Sequence, residues 1–261
     1  MKEHEKQGGT TMSESEMTAR FRKESPVRQA RIAGACWLLC IVAGVAGFIA
    51  AGPLIVANDA AATAANIVAK GSLYRLGFAF DLISGASYLV TTVFMYYVLR
   101  PVGRSLSMLA SFFGLAGVAI GGVGWVLRLA SLVLLHGDQY LSALTTSQLQ
   151  AMSMIDLKLQ LQVFSIAMVF FGVQCISIGY LVARSTFLPR VLGILLGVGG
   201  TSYVIASFAS FLIPSFGPHL IPFVFPVALV GEGSLTFWLL VKGVNIQRWQ
   251  EQASAAERSR T

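Results

Sequence analysis

The sequence predicts an all-α, polytopic membrane protein of six transmembrane helices with both termini in the cytoplasm. Three observations carry that expectation. Only 12% of the 261 residues are charged and 55% are hydrophobic, against about 25% charged in ordinary soluble domains; mean hydropathy is +0.70. Six apolar stretches each reach the ~18 residues or more that a bilayer core demands. The basic residues gather at alternate ends of those stretches, which is a topology signal.

Residues 1–26 are polar, mixed in charge and rich in Ser, Glu and Lys, with too little apolar content to fold alone. They lack the short apolar run and small-residue cleavage site of a signal peptide. The stretch therefore reads as a disordered cytoplasmic tail before an uncleaved first span. Spans are expected at 32–57, 76–99, 106–135, 159–183, 191–213 and 221–241 within a transmembrane domain covering 27–243, with 244–261 as a second cytoplasmic tail. The third span, at roughly 30 residues and ~1.5 Å each, must tilt or protrude from the bilayer.

The inner turns are tight and the outer connections longer. In the connection 58–75, Asp59 is placed to cap an Ala-rich helix and Gly71 to stop it. The connection 136–158 opens on the polar turn HGDQY and continues with Leu149, Met152 and Ile155 at helical spacing, predicting a short helix on the outer surface.

Orientation follows from charge. Of 19 Lys and Arg residues, only Lys70, Arg75 and Lys158 fall in outer segments, and Arg128 lies within a span. The other fifteen are on the side of the termini, which places that side in the cytoplasm. The net charge of +7 is thus spread over helix ends and forms no basic stripe, so nucleic acid is not expected as a partner. Cys36, Cys40 and Cys175 all lie in apolar segments, so no disulfide framework is expected and small-residue packing is their expected role.

Helices three and five are dense in glycine. Gly117-x-x-x-Gly121 and Gly193-x-x-x-Gly197 are small-xxx-small patterns that let backbones approach closely, either within the chain or across a homodimer. Trp37, Trp125, Trp238 and Trp249 read as interfacial anchors.

Three ionisable groups lie inside the spans: Asp81, Arg128 and Glu232. Each costs about 2.5–3.5 kcal/mol at a helix centre on insertion scales, which makes each a site candidate. Counting residues from the span ends places Asp81 and Arg128 at matched depths, ~8–10 Å from the outer edge. An ion pair between helices two and three is therefore expected. Glu232, between Gly231 and Gly233, falls about one turn deeper, within reach of a long arginine side chain. Arg75 and Asn66 stand at the expected mouth of this polar core. Gln160, Gln162 and Gln174 on helix four serve either as cavity lining or as interhelical hydrogen-bonding groups.

Sharper chemistries lack their residues. The histidines are His4 in the tail and His136 and His219 at the outer boundary, so haem ligation inside the bundle has no axial ligand. His136 and His219 with Asp138 and Asp156 read as solvated boundary residues, and no metal site is assigned. Ser87 and Ser234 have no histidine at depth to activate them, and no phosphate-binding or HExxH motif occurs. No catalytic residue and no cofactor is assigned.

A set of short motifs in fixed order carries a resemblance. Arg31-Ile-Ala-Gly34 opens helix one, Asp59 and Asn66-Ile67 lie in the first outer connection, and Leu73-Tyr-Arg-Leu-Gly77 enters helix two. Arg100-Pro-Val102 forms the first inner turn. Gly179-Tyr-Leu181, Leu188-Pro-Arg190 with Gly193, Glu232, Trp238-Leu-Leu240 and Lys242-Gly243 follow. Over roughly 31–243 the chain resembles a bacterial family of multi-pass membrane proteins known as domain of unknown function 4386. The resemblance implies a bacterial inner-membrane protein and supplies no catalytic residues. The function expected from the residues is binding or passage of a small molecule or ion at the polar core, open to the outer face. The alternatives are an accessory or regulatory subunit docking through its glycine faces and an intramembrane enzyme using Glu232.

Overall fold

The computed structural model describes residues 25–136 and 139–258. Of the expected tail 1–26, residues 1–24 lie outside the described residues, as does Asp138, while Pro26 already belongs to the first helix. The helices are α1 (Pro26–Ala51), α2 (Ala60–Ala69), α3 (Gly71–Leu99), α4 (Arg104–Leu135), α5 (Thr146–Arg184), α6 (Arg190–Leu212), α7 (Gly217–Val241) and α8 (Ile246–Arg258). Six of them, all but α2 and α8, are long and apolar enough to cross a membrane. The protein is a six-span, all-α membrane protein.

Local chemistry sets the breaks. Pro26 occupies the first turn of α1, where its missing N–H is harmless. The helix ends in the 3-10 turn Gly52–Leu54 around Pro53. Asn58 takes φ 59°, a left-handed conformation that asparagine tolerates, and the Asp59 side chain accepts from the Ala62 amide at 2.8 Å to cap α2. Gly71, expected to stop α2, is instead the first residue of α3; the break is the single residue Lys70 (φ −120°, ψ 38°).

The largest departure from expectation is α5. The expected surface helix and fourth span are one helix of 39 residues, ~58 Å long at ~1.5 Å per residue. Thr145 and Gln148 close a capping box at its start. No proline or glycine interrupts it before Gly172, so nothing turns the chain at the membrane surface. At the other end, Gly243 (φ 68°) turns the chain out of α7, a conformation that favours glycine. The expected C-terminal tail then holds α8. Trp249 Nε1 on α8 donates to the Val98 carbonyl at 2.9 Å, and Gln252 accepts from the Thr186 amide at 3.0 Å.

Each span packs on its chain neighbours in the order α1, α3, α4, α5, α6, α7, and α7 returns to α1. The ring has an end bearing α2 and an end bearing the termini. Glycines set its closest crossings. A Cβ at Gly179 on α5 would lie 2.6 Å from the Gly193 carbonyl on α6, and one at Gly34 on α1 would lie 2.7 Å from the Leu240 amide on α7. Gly117 makes room for Phe171, whereas Gly121 faces open space. Gly117, Gly179 and Gly193 thus serve packing inside the chain.

Two buried apolar clusters result. The larger, at the terminal end, joins Trp37, Met95, Leu181, Leu196, Leu235 and Leu239. A smaller one under α2 joins Ala51, Leu54, Ile67, Tyr74, Leu132 and Leu157. Large apolar side chains such as Leu212, Phe223 and Phe237 face outward, as a lipid-facing surface requires.

Candidate functional site

Between the two clusters runs a line of polar side chains. At its α2 end Arg128 on α4 forms an ion pair with Asp81 on α3, through Nη1 and Oδ2. Arg128 is 6% exposed, and its guanidinium lies 5.0 Å from the centre of the Tyr74 ring. The Tyr74 hydroxyl donates to the Arg128 carbonyl at 3.1 Å and lies 2.8 Å from Ser131 Oγ. Glycines make room for the pair: a Cβ at Gly47 would stand 2.8 Å from Asp81 Oδ1, and one at Gly77 would stand 2.6 Å from Arg128 Nη2. Arg128 Nη2 is buried with no hydrogen-bond partner.

One turn along α3 from Asp81, Ser84 Oγ donates to the Cys40 carbonyl at 3.0 Å and lies 3.3 Å from Cys40 Sγ. One turn along α1 from Cys40, Trp37 Nε1 donates to Glu232 Oε2 at 3.1 Å. The Tyr203 hydroxyl on α6 donates to Glu232 Oε1 at 2.7 Å. The column therefore runs from Tyr74 and Arg128 through Asp81, Ser84 and Cys40 to Trp37, Glu232 and Tyr203, and five of the six spans contribute to it.

Glu232 does not stand where residue counting put it. The α1 residues that touch the two charged sites, Trp37 and Gly47, are ten residues apart, which is ~15 Å of helix. The carboxyl is thus well beyond the guanidinium and binds two aromatic donors from α1 and α6. Among the described residues it makes no ion pair.

The close contact of α1 and α7 is made at Gly34, against Thr236 and Leu240, on the terminal side of Glu232. Phe225, seven residues before Glu232 and on the same stripe of α7, is 52% exposed. Phe48, eleven residues after Trp37 and on the same stripe of α1, is 76% exposed. A Cβ at Gly233 would meet only its own helix's Leu229. Pro222 and Pro226 fall in this half of α7, where each removes a backbone donor.

The remaining expected residues have definite places. Arg75 Nη2 lies 2.7 Å from His136 Nε2 at the α2 end, two turns of α4, or ~12 Å, beyond Arg128. Asn66 Nδ2 donates to the Leu54 carbonyl at 3.3 Å and ties α2 to α1. Neither touches the ion pair. Gln174 is an interhelical group: it accepts from the Tyr88 hydroxyl at 2.8 Å and donates to Thr92 at 3.2 Å. Gln160 packs against Gly124, and Gln162 is exposed. Trp37, expected as an interfacial anchor, is 1% exposed inside the bundle. Its indole N–H needs a partner there, and that partner is the one carboxyl at its depth. Tyr203, Ser84 and Tyr74 carried no signal of their own; a search for donors near each buried charge would have found them.

The chain is 26% identical over 151 residues to an uncharacterized protein of Archaeoglobus fulgidus, a match spanning 58% of this chain and 74% of that one. No solved structure matches the chain. The family described as domain of unknown function (DUF4386) matches residues 32–243, from α1 through the turn after α7, and the chain belongs to that family.

Proposed function

We propose that the protein binds or passes a small molecule or ion at the intramembrane polar column, with Glu232 as its principal ligating group. The observation that carries this reading is the environment of Glu232. Its two oxygens accept from Trp37 and Tyr203, and among the described residues it has no basic partner. A carboxyl so placed is costly, and a bound cation or protonated amine is the ligand chemistry that offsets the cost. Arg128, whose Nη2 lacks a partner, together with Asp81 forms the other end of the path. Arg75 and Asn66 lie beyond it at the α2 end. The arginine distribution supports a cell-membrane orientation with both termini cytoplasmic and the α2 end of the column facing outward.

The test is thermal unfolding of the purified protein against sodium, potassium and tetraethylammonium ions. Wild type is expected to gain several degrees with one of these. Glu232→Gln is expected to remain folded and lose the gain. An equal gain in Glu232→Gln, or none in wild type, counts against the proposal.

A further inference from the structure

We infer that the groove between α1 and α7 at the terminal end is a binding site for an anionic phospholipid. The groove encloses about 480 Å³ and is lined by Arg28, Arg31, Ile32 and Ala35 of α1 and Leu240 of α7, with Val27 at its top. It lies on the opposite side of α1 from Trp37, so it faces the bilayer and is separate from the polar column. Arg28 and Arg31 are three residues apart on one face and both exposed. Ala35 follows one turn further into the membrane.

The vertical order matches a phospholipid. The two guanidiniums lie in the first two turns of α1, ~3–8 Å from its start, and Ala35 lies at ~13 Å. A phosphodiester at the arginine level leaves its acyl chains alongside Ile32, Ala35 and Leu240. Guanidiniums suit phosphate through paired N–H donors, and the N-terminus of a 26-residue helix adds positive potential. Among the described residues no acidic side chain lines the groove, and Lys242 is exposed just past Leu240. Gly34 sets the depth of the groove, because it brings the α1 and α7 backbones together behind it. Basic grooves between spanning helices are a recurrent site for anionic headgroups. Charge complementarity thus selects a lipid with a net negative headgroup over a zwitterionic one.

The experiment is native mass spectrometry of the full chain, delipidated and titrated with phosphatidylglycerol or phosphatidylcholine. Phosphatidylglycerol is expected to give a saturable adduct and phosphatidylcholine none. Arg28→Gln with Arg31→Gln is expected to weaken that adduct about thirtyfold. The matched pair Arg104→Gln with Arg190→Gln, exposed at the same end of the bundle, is expected to leave it unchanged. Ala35→Leu, which fills the groove from an exposed position, is expected to weaken it without lowering the unfolding temperature. Equal losses in both arginine pairs, equal retention of the two lipids, or displacement by soluble glycerol phosphate would overturn the inference.

Discussion

Ser84 joins α3 to α1 at Cys40, donating to its carbonyl at 3.0 Å and standing 3.3 Å from its sulfur. This contact is the middle of the polar column, between the ion pair and the Glu232 carboxyl. Ser84→Ala removes one neutral hydrogen bond and is expected to cost about 1 kcal/mol. Cys40→Ser keeps a donor and acceptor in place and is expected to be near neutral. Thermal unfolding in one detergent measures both, and equal losses would remove the bridge from the account.

The ion pair predicts a larger and non-additive effect. Asp81→Asn or Arg128→Gln alone leaves a buried charge without its counterion and is expected to cost about 3–5 kcal/mol. The double variant is expected to recover most of that loss, because two neutral amides can bond to each other. A double-mutant cycle on unfolding free energy reads the coupling directly. Additive losses would mean that the residues do not act as a pair.

The six spans and the Asp81–Arg128 pair were legible because each rests on one local quantity, apolar length or depth from a helix end. The surroundings of Glu232 were not, because they depend on which residues of α1 and α6 the ring turns inward. Trp37 illustrates the difficulty. A tryptophan in a span is as often an interfacial anchor as a buried donor, and only the placement of α7 against Gly34 decides between them. The continuity of α5 was missed for a different reason. Polar residues such as Asp156 and Lys158 suggested a membrane boundary, but a helix ends only where a cap or a breaker ends it.

Glycine substitutions separate close crossings from open positions. Gly179 and Gly193 each face the backbone of the opposite helix, at 2.6 Å and less, so Ala at either position must push α5 and α6 apart. Overpacking of this kind costs about 1–3 kcal/mol. Gly121, with nothing within 4 Å of a built Cβ, is expected to accept Ala with a gain of about 0.5–1 kcal/mol from reduced backbone freedom. Opposite signs in unfolding midpoint are the expected result, and a loss at Gly121 would point to a partner helix there.

The proposed orientation has its own test. Fifteen basic residues on the terminal side predict a fluorescent C-terminal green fluorescent protein fusion and an active alkaline phosphatase fusion at Ser142, in the connection between α4 and α5. The reverse pattern would invert the column and turn its α2 end toward the cytoplasm.

The Glu232 cluster yields the most specific energetic prediction. Glu232→Leu removes the acceptor of Trp37 Nε1, which is 1% exposed on the residue scale, and an orphaned buried donor costs about 1–3 kcal/mol. Trp37→Phe removes that donor instead and leaves the carboxyl with Tyr203. Glu232→Gln is milder, since its amide oxygen accepts from Trp37 while its NH2 donates to the Tyr203 oxygen. The expected order of stability is therefore Glu232→Gln above Glu232→Leu, with the Glu232→Leu and Trp37→Phe double variant losing less than the two single losses together. Tyr203→Phe should remove one charge-assisted hydrogen bond, about 1.5–3 kcal/mol, from the wild-type background and far less from Glu232→Leu. Thermal unfolding of the six variants measures the whole cycle, and strictly additive losses would show that Trp37 and Tyr203 hold the ring through packing alone.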